Sequence, residues 1–83
     1  MNEQYETMSY TARAAYVKAL AATDEDGRIP LMTPGAMADM IGVQYKPETM
    51  LWCMTEWLVM RLARLVVDGG KDYIEIDAVD GAS

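Results

Sequence analysis

The stretch Thr33-Pro34-Gly35-Ala36-Met37-Ala38-Asp39-Met40-Ile41-Gly42-Val43 carries both the start and the stop of one helix. A threonine hydroxyl can accept from the first free backbone donors of a helix, and a proline immediately after it needs no donor of its own. Gly42 can take the left-handed conformation that closes a helix. Between these two signals the helical repeat predicts Met37, Met40 and Ile41 on one side. This helix is short.

Downstream, Val43-Gln44-Tyr45-Lys46 forms a connector, and Pro47-Glu48 opens another helix with proline in the first turn and an acid at the positive end of the dipole. No glycine or proline interrupts this third helix, which is predicted to run until about Arg64. Arg64-Leu65-Val66-Val67 and Asp72-Tyr73-Ile74-Glu75-Ile76-Asp77 flank Asp68-Gly69-Gly70-Lys71. The second run alternates Ile74 and Ile76 with Tyr73, Glu75 and Asp77, the pattern of a half-buried hairpin strand.

Upstream, Ser9 is placed to cap an alanine-rich helix over Tyr10 to Ala22. Tyr10, Ala14, Val17 and Ala21, with Leu20 beside them, recur at helical spacing and are predicted to form its apolar side, leaving Arg13 and Lys18 in water. Thr23-Asp24-Glu25-Asp26-Gly27 is a turn, and Arg28-Ile29-Pro30-Leu31-Met32 extends only briefly, because proline lacks a ladder donor. The expected order is therefore helix, short edge strand, helix, helix, hairpin. Residues 1–8 and 78–83 are expected to fray.

That order resembles the winged helix-turn-helix fold from about Tyr10 to Asp77, with Ala38 small where two helices cross and Gly42 making the turn between them. Ala22-Thr23-Asp24-Glu25-Asp26-Gly27-Arg28-Ile29-Pro30 followed by Thr33-Pro34 is similar to the N-terminal domains of phage replisome-organiser and related replication proteins. The resemblance implies an α+β, winged-helix-like domain of three helices, a short strand and a C-terminal β-hairpin. It makes Pro47-Glu48-Thr49-Met50 the opening of a recognition helix and Val66 to Ile76 the wing. Two features depart from the pattern: the connector before Pro47 is about two residues longer than the usual turn, and the recognition helix is far more apolar than a DNA-reading helix.

Composition sets the outer bounds. A chain of 83 residues holds a single core, so residues 1–83 are expected to form one domain. One cysteine, Cys53, and no histidine leave neither an intramolecular disulfide nor the usual zinc-ligand sets, which suits a reducing, cytoplasmic setting. The acidic start Met1-Asn2-Glu3-Gln4-Tyr5-Glu6 is unlike a signal peptide. Thr55, Glu56, Arg61 and Arg64 interrupt the apolar stretch from Met50 to Val67, so no membrane span is expected.

Thirteen acidic against seven basic residues give a net charge of −6, which opposes phosphate backbones. From Pro47 to Ala63 the only cation is Arg61, and the wing sets Asp68, Asp72, Glu75 and Asp77 against Lys71. Readers of DNA need arginine, lysine, asparagine or glutamine at base edges, so direct nucleic-acid binding is not expected. The acidic surface Asp68, Asp72, Glu75 and Asp77 has two readings, imitation of DNA or plain solubility, and the second is preferred.

The helix over residues 47 to 63 is apolar around most of its circumference. Met50, Met54, Trp57, Leu58, Arg61, Leu62 and Leu65 fall on one face, with Leu51, Trp52, Cys53, Val59, Met60 and Ala63 on the flanks and back. Either the other elements surround it, or one flank stays open for a partner or a second copy. Under the second reading Tyr45, Leu51, Trp52, Val59 and Met60 are the candidate protein interface, and a homodimer is the simplest cover.

Other constellations carry no chemistry. Asp24, Asp26, Gly27 and Ile29 fit part of a calcium loop, but Ala22 and Thr33 stand where its end ligands belong. Cys53 has no histidine to activate it and reads as a buried, inert thiol. Asp68-Gly69-Gly70-Lys71 lacks the rest of a phosphate loop. No catalytic residue, metal site or cofactor site is assigned, and no enzyme activity is expected. The expected role is protein–protein binding, with a host or phage protein as partner. The resemblance, size and acidity suggest a phage or mobile-element inhibitor of a host nucleic-acid machine, the anti-CRISPR class included. The competing reading is a DNA-binding winged-helix regulator or replication module.

Overall fold

Three helix starts follow from local chemistry. Ser9 Oγ accepts from Ala12 N at 3.2 Å and opens α1, Tyr10–Ala22. Thr33 Oγ1 accepts from Ala36 N at 3.4 Å, ahead of Pro34, and opens α2, Pro34–Ile41. Pro47, with Glu48 in the first turn, opens α3, Pro47–Val59, with no side-chain cap. The strands are β1, Arg28–Pro30, β2, Ala63–Asp68, and β3, Lys71–Ile76. The computed structural model describes residues 8–77. The fraying expected for 1–7 and 78–83 lies outside the described residues, whereas Met8, also expected to fray, is buried in the core.

These elements make an α+β domain of three helices and a three-stranded antiparallel sheet ordered β1-β3-β2. The C-terminal hairpin pairs Ala63 with Ile76 through Asp68 with Lys71 in unbroken register. Its turn glycines, Gly69 and Gly70, have φ of 61° and 79°. Both central residues of a type I′ turn need positive φ, which is why this loop holds two glycines. β1 lies on the other side of β3, with Ile29 opposite Ile74.

The core is built around Trp57 and Tyr16, whose rings meet edge to face with centroids 5.9 Å apart. Ile29, Ile74 and Ile76 from the sheet, Met37, Ala38 and Ile41 from α2, and Met50, Cys53 and Met54 from α3 close it. Ile74 and Ile76 are buried as their alternation predicts.

The buried side of α1 differs from the expected one. Ala12, Ala15, Tyr16 and Ala19 face the core, while Tyr10 and Val17 face solvent. Small alanines let α1 approach α3 closely, and Tyr16 can then reach Trp57; a side led by Tyr10 and Val17 offers neither. In α2, Met37 and Ile41 are buried as expected, with Ala38, whereas Met40 is exposed.

The end of α3 is a second correction. The helix stops at Val59 rather than near Arg64, with Met60 as its C-cap. Arg61 takes a left-handed φ of 61°. Arg61 N donates to Leu58 O at 3.1 Å and Leu62 N to Trp57 O at 2.9 Å, the paired bonds of a Schellman closure. Arg61, Leu62 and Leu65 therefore do not lie on a face of α3, and Ala63 begins a strand. The stop escapes sequence patterning because an arginine occupies the position that glycine usually signals. Leu62 is carried into the core by the reversal.

Candidate protein-binding surface

α3 divides cleanly into two sides. Met50, Cys53, Met54 and Trp57 recur at helical spacing and are buried. The opposite side carries Glu48, Leu51, Trp52, Thr55 and Val59, all exposed. Leu51, Trp52 and Val59 keep 52%, 63% and 70% of their surface in solvent. A half-exposed leucine is ordinary on a monomer, but three large apolar groups along one helix face form a patch.

Of the five residues expected at an interface, these three share the open side, and the other two do not. The Tyr45 hydroxyl donates to the Thr11 carbonyl at 3.3 Å, pinning the α2–α3 connector to α1. Tyr45 is half-buried against the core, and that burial raises its phenol above the ordinary value, with smaller contributions from Cys53 and Tyr10. Met60 is likewise packed against the core beneath the end of α3. Connector and cap are thus parts of the scaffold that presents the patch.

Hydrogen bonds beside the patch tie α3 to the start of α1. The Glu56 carboxylate accepts from Ser9 N at 3.0 Å and from Ser9 Oγ at 2.8 Å, tying the start of α1 to α3. Beside Trp52, Ser9, Thr11, Glu48 and Thr49 line a shallow depression. Thr55 Oγ1 returns to Leu51 O at 2.8 Å, so its polar atom faces its own helix.

The four acids of the hairpin do not form one acidic face. Strand alternation puts Glu75 and Asp77 on one face of β3 and Asp72 on the other. Glu75 is half-buried between two arginines, accepting from Arg28 Nε at 3.2 Å and Arg64 Nε at 2.7 Å. These bonds, Arg64 first and then Arg28, hold its carboxyl below the ordinary range, against a smaller opposing effect of burial. Asp68 is paired to Arg28 at 3.0 Å, and the guanidinium's own pKa rises, chiefly through Glu75. Asp72 and Asp77 are exposed at opposite ends of β3.

The remaining candidates fall into structural roles. Asp24 Oδ1 accepts from Asp26 N at 2.8 Å and Arg28 N at 3.0 Å, so this carboxylate organises a backbone turn. Among the described residues, no group of three or more cysteine and acidic side chains is placed to hold a metal ion. Cys53 is buried, which pushes its thiol up, with the Glu56 charge adding to the effect. No helix among the described residues is long and apolar enough to cross a membrane.

Sequence reasoning missed two further exposed apolar sets. Tyr10 and Val17 lie on the outer side of α1, and Leu65 and Val67 lie on β2. The alternation of Leu65 and Val67 with Arg64, Val66 and Asp68 was the available signal for the second set, obscured by assigning Leu65 to the helix.

Comparison with known proteins gives no match to a family model, to a curated protein or to a solved structure.

Proposed function

We propose that this chain is a protein-binding domain whose target docks on the outward side of α3, centred on Leu51, Trp52 and Val59. The observation that carries this reading is the alignment of those three exposed apolar side chains on one helix, which Glu56 ties to the start of α1. A tryptophan flanked by aliphatic groups is the composition of a binding hot spot, because its burial removes a large apolar area with few rotors to freeze.

The net charge of −6 favours a target with a basic surface, which proteins that handle nucleic acid characteristically present. Inhibition of a host nucleic-acid machine by a winged-helix-like phage protein, as in the anti-CRISPR class, is the specific form of this proposal. Against a DNA-binding role, the exposed side of α3 offers Glu48, Leu51, Trp52, Thr55 and Val59 and no cation. Such a face offers no arginine, lysine, asparagine or glutamine to base edges and no positive charge to phosphates.

The test is capture followed by reconstitution. A captured protein must bind the purified chain saturably, and Leu51→Glu or Trp52→Ala must weaken that binding at least about tenfold while leaving the melting temperature unchanged. Equal affinity in the variants, or tight salt-sensitive binding to duplex DNA, overturns the reading.

A further inference from the structure

The two edges of the sheet are managed differently. β1 is three residues long and ends in Pro30, both of which discourage further pairing. β2 is six residues long, contains no proline and keeps unbroken register with β3, so no bulge protects its edge. Leu65 and Val67 on it are 58% and 70% exposed.

The direction of the free backbone groups follows from the β1 side. Leu31 N donates to Asp72 O at 3.0 Å and Ile76 N to Gly27 O at 2.8 Å, so the polar groups of Asp72, Ile74 and Ile76 point toward β1. Their partners across the hairpin are Val67, Leu65 and Ala63. In an antiparallel pair these are the non-hydrogen-bonded positions, so the N–H and C=O of Leu65 and Val67 project from the open edge.

We propose that β2 pairs antiparallel with β2 of a second copy, Leu65 of each opposite Val67 of the other, forming a six-stranded sheet across a two-fold axis. Three registers bring the outward-facing groups of Leu65 and Val67 on the two edges together. Setting Leu65 against its own copy places Arg64 opposite Val66, and setting Val67 against its own copy places Arg64 opposite Gly70. Only the Leu65–Val67 register sets Arg64 opposite Asp68 of the second copy, twice by symmetry, with Val66 meeting Val66 on the axis. Arg64 and Asp68 keep 72% and 67% of their side-chain surface in solvent and are accessible to such a partner.

The same register completes a row of alternating charge. Arg28 lies opposite Glu75, Glu75 opposite Arg64, and Asp68 opposite Lys71 within one chain. Pairing extends this to Arg28, Glu75 and Arg64 of one copy followed by Asp68 and Lys71 of the other, with no like charges adjacent. Opposite charges directly across strands attract and like charges repel, so the row selects both the partner and the register. On the other face, Leu65 and Val67 of the two copies cover one another.

This interface uses a different surface from α3, and its test is separable from that of target binding. Sedimentation equilibrium of the full chain from micromolar to millimolar concentration should show a reversible monomer–dimer equilibrium. Val67→Pro removes an outward N–H that the monomer does not use, and Asp68→Lys sets like charges against Arg64; each should raise the dimer dissociation constant at least about tenfold. Val66→Cys should form a disulfide-linked dimer under mild oxidation much faster than Arg64→Cys, because paired non-hydrogen-bonded positions lie about 4.5 Å apart at Cα. The cross-link decides the matter if Val67→Pro fails to fold. A monomer at every concentration, no preference for cross-linking at Val66, or a dimer lost with Trp52→Ala instead of Asp68→Lys overturns the proposal.

Discussion

The indole Nε1 of Trp57 donates to the carbonyl oxygen of Ala12 at 3.0 Å, inside the core and 45 residues apart in sequence. It joins α3 to α1 at the point where Tyr16 also packs on the Trp57 ring. One side chain therefore supplies apolar area, an edge-to-face contact and a polar tie. Trp57→Phe keeps most of the area but loses the bond, and should cost about 1–2 kcal/mol; Trp57→Ala should cost about 3–5 kcal/mol. Urea denaturation of both variants checks the order and the gap.

Arg61 and Gly42 both follow a helix with positive φ, 61° and 81°, but only one of them is a glycine. A left-handed non-glycine residue costs about 1–2 kcal/mol, of which the greater unfolded entropy of glycine gives part back. Arg61→Gly should therefore stabilise the fold by about 0.5–1 kcal/mol. Gly42→Ala should destabilise it by about 1 kcal/mol, through φ alone, since nothing lies within 4 Å of the added methyl. Opposite shifts in melting temperature are the expected result.

Glu75 links stability to acid. Its folded-state pKa is lowered by Arg64 and then Arg28, so the ionised carboxylate binds more tightly in the fold than in the unfolded chain. That contribution is complete above the ordinary glutamate range and disappears as pH falls through the lowered value. Glu75→Gln should therefore flatten the acid limb of stability against pH. Urea midpoints measured from neutral pH downward would show wild type and variant converging at the acid end.

Trp52 and Trp57 should be separable by light. Trp52 is 63% exposed, and Trp57 is fully buried. Trp52→Phe should remove the red-shifted emission that iodide quenches, leaving a blue-shifted, protected component, with stability changed by no more than about 0.5 kcal/mol. Loss of quenching at Trp52 on adding a binding partner would report contact at this side chain directly.

Much of the architecture was legible in local chemistry. Thr33-Pro34 and Pro47-Glu48 marked two helix starts, and Gly42 marked a stop. Asp68-Gly69-Gly70-Lys71 between alternating runs marked the hairpin. Each is a signal that a few neighbouring residues complete among themselves. The candidate surface was legible in part: Leu51, Trp52 and Val59 are on the open side of α3, but Tyr45 and Met60 serve the scaffold. Periodicity alone cannot choose between sides of a helix that is apolar nearly all round. Of the acids Asp68, Asp72, Glu75 and Asp77, strand alternation puts Asp72 on the other face, and Arg28 and Arg64 pair with Asp68 and Glu75.

What the amino-acid sequence determined by itself is therefore the set of elements and most of their boundaries, because caps, prolines and turn glycines act within one turn of chain. Tertiary structure decided which sides face inward and where α3 ends. α1 buries Tyr16 instead of Tyr10 because Trp57 waits 41 residues away to receive it. Arg61 accepts a left-handed backbone because the reversal carries Leu62 into the core and aligns Ala63–Asp68 with β3. Burying Leu62 contributes about 1.5–3 kcal/mol, enough to offset a local strain of about 1–2 kcal/mol, and that gain exists only once the rest of the fold surrounds it.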